Sequence, residues 1–231
     1  MATQLAAVST ASEAGVLDSS QRLVLSTDWQ SPFNQAIKRA LDVTASAILL
    51  LLLSPVLLVI AIAVKISSAG PILYRWKVVG RGGHPFTGYK FRSMVANADA
   101  LRTELVSHNE MTGPVFKMSD DPRITKVGAW LRRYSLDELP QLYSVLKGDM
   151  TLVGPRPPLT TEYAQFSDYQ KQKTAVKPGI TCLWQVSGRN QISDFDEWVR
   201  LDLEYIRRWS LSLDLEILMR TVSTVLSGSG K

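Results

Sequence analysis

The sequence predicts an α+β chain, mainly helical, with an N-terminal kinked re-entrant membrane helix, a small β-hairpin and amphipathic interfacial helices. Three observations point there. One long apolar run lies near the N-terminus, two short β-type runs flank a Gly-rich turn, and most of the remainder has apolar residues at helical spacing. With 45% hydrophobic and 20% charged residues in a chain of 231, neither a disordered polymer nor a highly charged coiled coil fits.

Residues 1–30 are rich in Ala, Ser, Thr and Val, and no basic stretch precedes an apolar one. They do not form a secretory signal and are expected to be a disordered cytoplasmic tail. Residues 31–66 follow as a re-entrant membrane helix-hairpin. Within them Val43 to Val64 is a 22-residue stretch without a charge. As a helix it would be about 33 Å long, enough for a hydrocarbon core of about 30 Å. Ser54 and Pro55 interrupt it near its centre, where proline takes the helical partner from the Leu51 carbonyl and bends the axis. Each half is then about 18 Å, too short to cross alone. Lys38 and Arg39 precede the run, Lys65, Arg75 and Lys77 follow it, and no acid occurs between Asp42 and Asp99. Both ends therefore carry a cytoplasmic charge signature, which an entering and returning helix satisfies. A kinked single crossing is the alternative.

Residues 67–231 are expected to form a cytoplasmic domain on the membrane surface. Residues 71–80 and 84–94 read as the two strands of the hairpin. Helical patterns follow at about 95–108, 124–133, 135–147, 160–174 and 195–226, and Pro and Gly clusters mark loops at 113–114, 154–158 and 178–179. The last helical stretch, with Trp198, Arg207, Arg208 and Trp209, suits either core packing or the lipid interface.

A single cysteine, Cys182, excludes an intrachain disulfide and a four-thiolate zinc site. Two histidines, His84 and His108, argue against a histidine-rich metal centre or a Ser/His triad. The net charge of +5 points to anionic partners. Nucleic acid is disfavoured, because the cations are scattered among Gly and Pro loops and no zinc, RNP, phosphate-loop or dinucleotide fingerprint is present.

Three segments carry chemistry. In LRRYSLDELPQL, Ser135 and Glu138 fit a helix capping box with Asp137 in the first turn. The same residues have a second reading. An aspartate beside Arg132 and Arg133 stays ionised and can attack phosphorus or hold Mg²⁺ against phosphate oxygens. In VGPRPPL, prolines fix the backbone around Arg156, which suits bidentate phosphate contact; a solvated turn is the alternative. In KPGITCLWQVSGRN, two glycine turns and Arg189 suggest a further phosphate contact, with an ordinary surface loop equally compatible. Lys90 and Arg92 in YKFRSM add two cations.

Taken in order, KRALD, the Ser-Pro break, YKFRSM, DDPRITKVGAWLRRYSLDELPQLYSVLKGDM, LVGPRPPL, PGITCLWQVSGRN and WSLSLDLEIL resemble the bacterial sugar transferases, monotopic polyprenol-phosphate phosphoglycosyl transferases. The chain is similar to their short, catalytic-domain form, the ExoY-like enzymes that initiate exopolysaccharide synthesis. The resemblance implies transfer of a sugar 1-phosphate from a UDP-sugar, galactose or glucose, to undecaprenyl phosphate with release of UMP. It makes residues 67–231 the catalytic domain and Asp137 the nucleophile, through a covalent aspartyl intermediate. Glu138 would be its acidic partner, Mg²⁺ the cofactor held by Asp137, and Lys90, Arg132, Arg156 and Arg189 the phosphate contacts. Ser54 and Pro55 match the family's membrane break. Inner-membrane lipid is the implied environment, on the cytoplasmic face, and a homo-oligomer is allowed. The chain departs from the family at Cys182, where glycine is usual. The rival class is a non-catalytic membrane-bound adaptor that recruits anionic lipid or glycan-synthesis partners through its basic surface.

Overall fold

Ordered structure begins before the apolar run. The computed structural model describes residues 23–188 and 192–228. Ser26 caps a single helical turn, α1 (Thr27–Gln30), and Ser31 with Pro32 starts α2 (Pro32–Leu52). The last part of the tail expected to be disordered as far as residue 30 is therefore folded: Leu23, Leu25 and Trp29 pack against the larger apolar core. The cause lies far away in sequence: Trp29 stacks on Trp209 with ring centroids 4.1 Å apart, and Ser26 Oγ donates to the Trp209 carbonyl at 3.0 Å. That aromatic partner compensates the chain entropy lost on ordering the turn.

After α2 the chain passes through Leu53 into α3 (Ser54–Ser67), bent from it by 64°. Ser54 Oγ donates to the Leu51 carbonyl at 2.8 Å, replacing the backbone donor that Pro55 lacks. Among the described residues no single helix is long and apolar enough to cross a membrane, but the bent pair reaches that length and apolarity together. The two faces of α2 differ. Lys38, Asp42 and Ser46, one turn apart, are buried against the rest of the protein, while Ile48, Leu51 and Leu52 are exposed.

The expected hairpin is present as β1 (Leu73–Val79) and β2 (Pro85–Phe91), antiparallel, with Trp76 opposite Gly88. Gly82 and Gly83 turn it with φ of 68° and 83°. Then come α4 (Ala98–Leu105), α5 (Lys126–Arg133), a 3-10 turn at Leu136–Glu138, α6 (Gln141–Lys147) and β3 (Thr151–Val153). Short helices α7 (Thr160–Tyr163) and α8 (Asp168–Lys171), β4 (Gly179–Thr181), α9 (Leu183–Val186), α10 (Phe195–Arg208) and α11 (Leu211–Leu226) complete the chain.

Three of the expected helices are interrupted. Residues 135–147 split at Pro140, and 160–174 split where the Ser167/Gln170 capping box starts a new turn. Residues 195–226 are two helices, because Ser210 caps α11 and redirects the chain after Trp209. The parallel pairing of β3 with β4, Thr151 opposite Gly179, was not expected; three residues per strand carry no readable period.

Two apolar clusters hold these parts together. The larger joins α9 and α10 to the loops around them through Trp184, Trp198, Leu203, Tyr205 and Ile206. The smaller sets Ile60 and Val64 of α3 against Phe91 and Leu131, so the bent helix pair shares a core with the hairpin and α5. The segment Arg156–Leu159 lies along β1, with Val79 N donating to Pro158 O at 3.0 Å. Core packing describes α10, where Trp198 and the following Trp209 are buried. On α11, by contrast, Leu215, Met219, Val222 and Leu226 form an exposed apolar row, 57 to 75% accessible.

Candidate active site

Helix α5 ends at Arg133, and the chain reverses through Ser135, the one non-glycine residue with positive φ (53°) among the described residues. A left-handed serine costs of order 1 kcal/mol and persists only where its surroundings impose it. The reversal carries Leu136–Glu138 back as a 3-10 turn with Asp137 and Glu138 buried, 7 and 9% accessible. The capping box expected from Ser135 and Glu138 does not form. The left-handed backbone takes Ser135 out of capping geometry, and its side chain makes no cap hydrogen bond.

Glu138 instead meets cations. Its Oε1 accepts a hydrogen bond from Lys90 Nζ at 2.7 Å and lies 3.8 Å from Arg156 Nη1. Lys90 comes from β2, and its ammonium sits 4.3 Å from the centre of the Trp76 ring on β1. Burial lowers the Lys90 pKa, opposed by the charges of Glu138 and Asp137. Arg132, on the last turn of α5, donates from Nε to Ser93 Oγ at 2.9 Å; burial lowers its pKa too, while Asp137 opposes the shift. Arg156 is presented by the Pro-rich segment after β3.

Asp137, Lys90, Arg132 and Arg156 line one cleft of about 870 Å³, together with Asp121 and Arg123 of the DDPR segment and an aromatic wall that includes Phe116 and Trp184. Asp121 is already engaged: Arg123 Nη2 contacts its Oδ2 at 2.6 Å. Burial raises its pKa, and the hydrogen bonds from Arg123 more than offset that, leaving it below the ordinary value. The structure thus brings Asp137, Glu138, Lys90, Arg132 and Arg156 together from four separate segments. Arg189 lies outside the described residues, and Ser54 and Pro55 sit at the helix bend instead of in the cleft.

Arg92 does not act as a free cation of the cleft. Its guanidinium donates to the carbonyls of Ser68 and Ala69, both at 2.7 Å, closing the end of α3. Cys182 occupies an extended backbone, φ −145°, which any residue adopts, and its buried thiol donates to Gln185 Oε1 at 3.2 Å. Burial pushes its pKa far up, so it is no nucleophile. Sequence reasoning passed over Asp121, Arg123, Ser93 and Trp76; an Asp-Pro-Arg turn and a lone tryptophan in a strand gave no chemical signal of their own.

Among the described residues no group of three or more His, Cys, Asp or Glu is placed to hold a metal. Magnesium, however, is held in phosphate-transferring sites by one or two carboxylates, with substrate phosphate and water completing its shell. The buried Asp137 beside Glu138 fits that sparser donor set.

The sequence profile described as "Bacterial sugar transferase" matches residues 33–228. The chain is 49% identical over 193 residues to "Galactosyl transferase CpsE" of Streptococcus agalactiae serotype III (strain NEM316), covering 84% of this chain and 43% of that protein. It is 42% identical over 200 residues to "UDP-glucose:undecaprenyl-phosphate glucose-1-phosphate transferase" of Escherichia coli (strain K12), covering 83% and 40%. It is 38% identical over 203 residues to "Exopolysaccharide production protein ExoY" of Rhizobium meliloti (strain 1021), covering 86% and 89%. The chain thus spans less than half of the first two relatives and most of the third.

Proposed function

The chain belongs to the bacterial sugar transferase family, and we propose that it transfers a hexose 1-phosphate from a UDP-sugar to undecaprenyl phosphate, releasing UMP and initiating a surface glycan. The observation that carries this reading is the placement of one buried aspartate, Asp137, on a strained turn facing Lys90, Arg132 and Arg156.

Chemically, the transfer divides into two displacements at one phosphorus. An Asp137 carboxylate oxygen attacks the sugar-bearing phosphorus of the donor. The new O–P bond forms as the bond to the bridging diphosphate oxygen breaks, and UMP leaves with that electron pair. A phosphate oxygen of undecaprenyl phosphate then attacks the same phosphorus, the aspartyl–phosphorus bond breaks, and Asp137 is regenerated as carboxylate. Positioning and charge neutralisation are what such a site has to supply. Lys90, Arg132 and Arg156 provide the cations, and Glu138 holds Lys90 and Arg156 in place through its 2.7 and 3.8 Å contacts. Arg189 is assigned to phosphate binding by family resemblance alone. Magnesium, held by Asp137 with Glu138 at hand, would neutralise diphosphate charge.

The same reading places the protein on the cytoplasmic face of the bacterial inner membrane, with α2 and α3 entering and leaving one leaflet. Exposed Val59, Ile62 and Ile66 on α3, the apolar row on α11 and the basic flanks support it. Cysteines introduced at Ser19 and Ser68 should both react with an impermeant label from the cytoplasmic side; labelling from opposite sides would replace the hairpin with a crossing. Galactose and glucose are the donors to try first, given the names of the relatives.

Purified protein with Mg²⁺, undecaprenyl phosphate and a panel of UDP-sugars should release UMP with one of them, and Asp137→Asn should abolish the release. Membrane-embedded, folded protein inert towards every donor would favour the adaptor reading. Full activity in Asp137→Asn would remove the nucleophile assignment.

A further inference from the structure

Part of the cleft wall carries a cation and an aromatic ring that the chemistry above does not use. Arg102, on α4, lines the cleft half-buried, its guanidinium carbon 5.7 Å from the centre of the Phe116 ring. Arg123 stands over the same ring at 5.1 Å. The two cations are not equivalent. Arg123 is neutralised by its pair with Asp121, whereas among the described residues no carboxylate lies within ion-pair distance of Arg102. Asp99, one turn earlier on α4, accepts from Tyr74 OH at 3.2 Å. Arg102 therefore brings an uncompensated, planar cation to the cleft.

Hydrogen bonds fix where this part lies relative to the nucleophile. Arg132 donates to Ser93 Oγ at 2.9 Å. From Ser93 the chain runs beside residues 123–125: Thr125 N donates to Ser93 O at 3.1 Å, and Val95 N to Arg123 O at 2.9 Å. Two extended residues, about 7 Å, thus separate the Arg132 contact from the level of Arg123. Arg123 Nη1 donates in turn to Ala98 O at 3.2 Å, at the start of the helix that carries Arg102. Positive charge leads away from Asp137 in the order Arg132, Arg123, Arg102, and the last two share the Phe116 ring. That ring is held in place by its own loop. Asn109 Nδ2 donates to Val115 O at 2.9 Å and Asn109 Oδ1 accepts from Lys117 N at 2.8 Å, so one side chain pins the backbone on both sides of Phe116. A preformed flat wall of this kind costs a ligand little ordering entropy.

We propose that Arg102 and Phe116 form the subsite for the donor's uridine, with the base lying against the ring and the guanidinium. This deepens the phosphoglycosyl transfer reading and rests on it. From the attacked phosphorus, the nucleotide half of a UDP-sugar continues through a second phosphate and a ribose to a flat, polar heterocycle. A line of arginines that ends at an aromatic ring matches that order of groups, with Arg132 beside the diphosphate and Arg102 and Phe116 beyond it. Bases stack on aromatic side chains and on guanidinium planes alike, and guanidinium N–H groups donate to the carbonyl oxygens of a pyrimidine. Undecaprenyl phosphate has no such ring for the pair to bind. Neither residue touches the reacting phosphorus; their task is to hold the donor, and then UMP until it leaves.

The deciding experiment measures binding of UMP and of ribose 5-phosphate by calorimetry, with UMP-release kinetics and thermal unfolding on the same detergent preparations. The proteins are wild type, Arg102→Met, Arg102→Lys and Phe116→Leu. Loss of one base stack lowers affinity on the order of tenfold. Arg102→Met and Phe116→Leu should each weaken UMP binding and raise KM for the UDP-sugar by about that factor, with kcat and KM for undecaprenyl phosphate changed less than about twofold. Ribose 5-phosphate keeps the phosphate and lacks the base, so its binding should change less than about twofold. Arg102→Lys keeps the charge and loses the plane, and should bind UMP as weakly as Arg102→Met. Unchanged UMP affinity in the folded Arg102→Met and Phe116→Leu proteins would overturn the proposal. So would full recovery in Arg102→Lys, or an equal loss of UMP and ribose 5-phosphate binding, since either would make Arg102 a general phosphate cation. If Phe116→Leu does not fold, the two Arg102 variants decide alone. Wild-type protein that neither binds UMP nor releases it from any donor would refute the transfer reading itself, and the subsite with it.

Discussion

Replacing Gly154 by alanine tests whether the Arg156 segment is held by backbone contact. A β-carbon there would lie 2.7 Å from Lys177 O, 2.9 Å from Gly179 N and 3.0 Å from Thr151 Cγ2. Ordinary contact begins near 3.4 Å, so relief needs a displacement of about 0.7 Å, and two of the three obstacles are backbone of the β3–β4 region. Neither side yields easily, since Gly154 N already donates to Thr181 O at 3.0 Å and Gly179 N to Pro155 O at 2.9 Å. Overpacking of this kind costs about 1–3 kcal/mol, or roughly 2–12 °C of unfolding temperature in a domain of this size. Because Arg156 follows two residues later, the displacement reaches the cleft, and kcat for UMP release should fall about 10- to 100-fold. Thermal unfolding and initial-rate kinetics on the same preparation measure both effects. Wild-type stability and turnover together would show that the two glycine backbones are not in forced contact. Loss of stability with unchanged kcat would show that Arg156 is positioned independently of Gly154.

Lys90 should govern the alkaline limit of activity. Its folded pKa lies below the ordinary lysine value, so its charge, and turnover with it, is lost as pH rises through that lowered value. Stability moves the other way: the unfolded chain holds that proton more tightly, so the contribution of Lys90 to stability increases with pH between the folded and unfolded pKa values. Lys90→Arg should extend activity to higher pH in a pH–rate profile, and an unmoved alkaline limb would assign it to another group. Ser135→Gly should keep turnover and raise stability by up to about 1 kcal/mol by relieving the left-handed turn, whereas Ser135→Val should lose stability and UMP release together. Chemical denaturation of the two variants would separate these outcomes, and equal stability would deny the strain. Trp29→Ala should cost about 2 kcal/mol and expose Trp209 to a fluorescence quencher, and a neutral result would mean that α1 adds nothing to the fold.

The sequence made legible those features whose cause is local. The hairpin is written in two β-type runs around Gly82 and Gly83, and the helix break in Ser54 and Pro55, where a hydroxyl and a missing amide sit side by side. Asp137 and Arg156 carried chemical signals in their own short motifs, and the fold places both on the cleft. What could not be read depends on partners distant in sequence. Trp29 is ordered by Trp209, and Arg92 is drawn away by the carbonyls that end α3. Glu138 is claimed by Lys90, 48 residues earlier, in place of the neighbouring Ser135. The capping-box reading failed because motif spacing assumes an ordinary backbone, and Ser135 has a left-handed one.

The polar stripe of α2 has a consequence for the register of the whole molecule. Lys38 reaches Val153 O and Asp214, Asp42 receives Thr151 Oγ1 at 2.6 Å and Leu152 N at 3.0 Å, and Arg39 grips the Val145 and Leu146 carbonyls. These contacts act like the bit of a key cut to a single lock. Because each helical residue turns the axis by about 100°, one inserted residue between Lys38 and Asp42 would strand a buried charge on either side of the insertion. One inserted after Ser46 would turn the bend and α3 with it, taking Ile60 and Val64 out of their contacts with Phe91 and Leu131. The length of α2 is therefore fixed from both ends, by its polar stripe before the bend and by the apolar contacts of α3 after it, and the distance from the cleft to the bend is fixed with it.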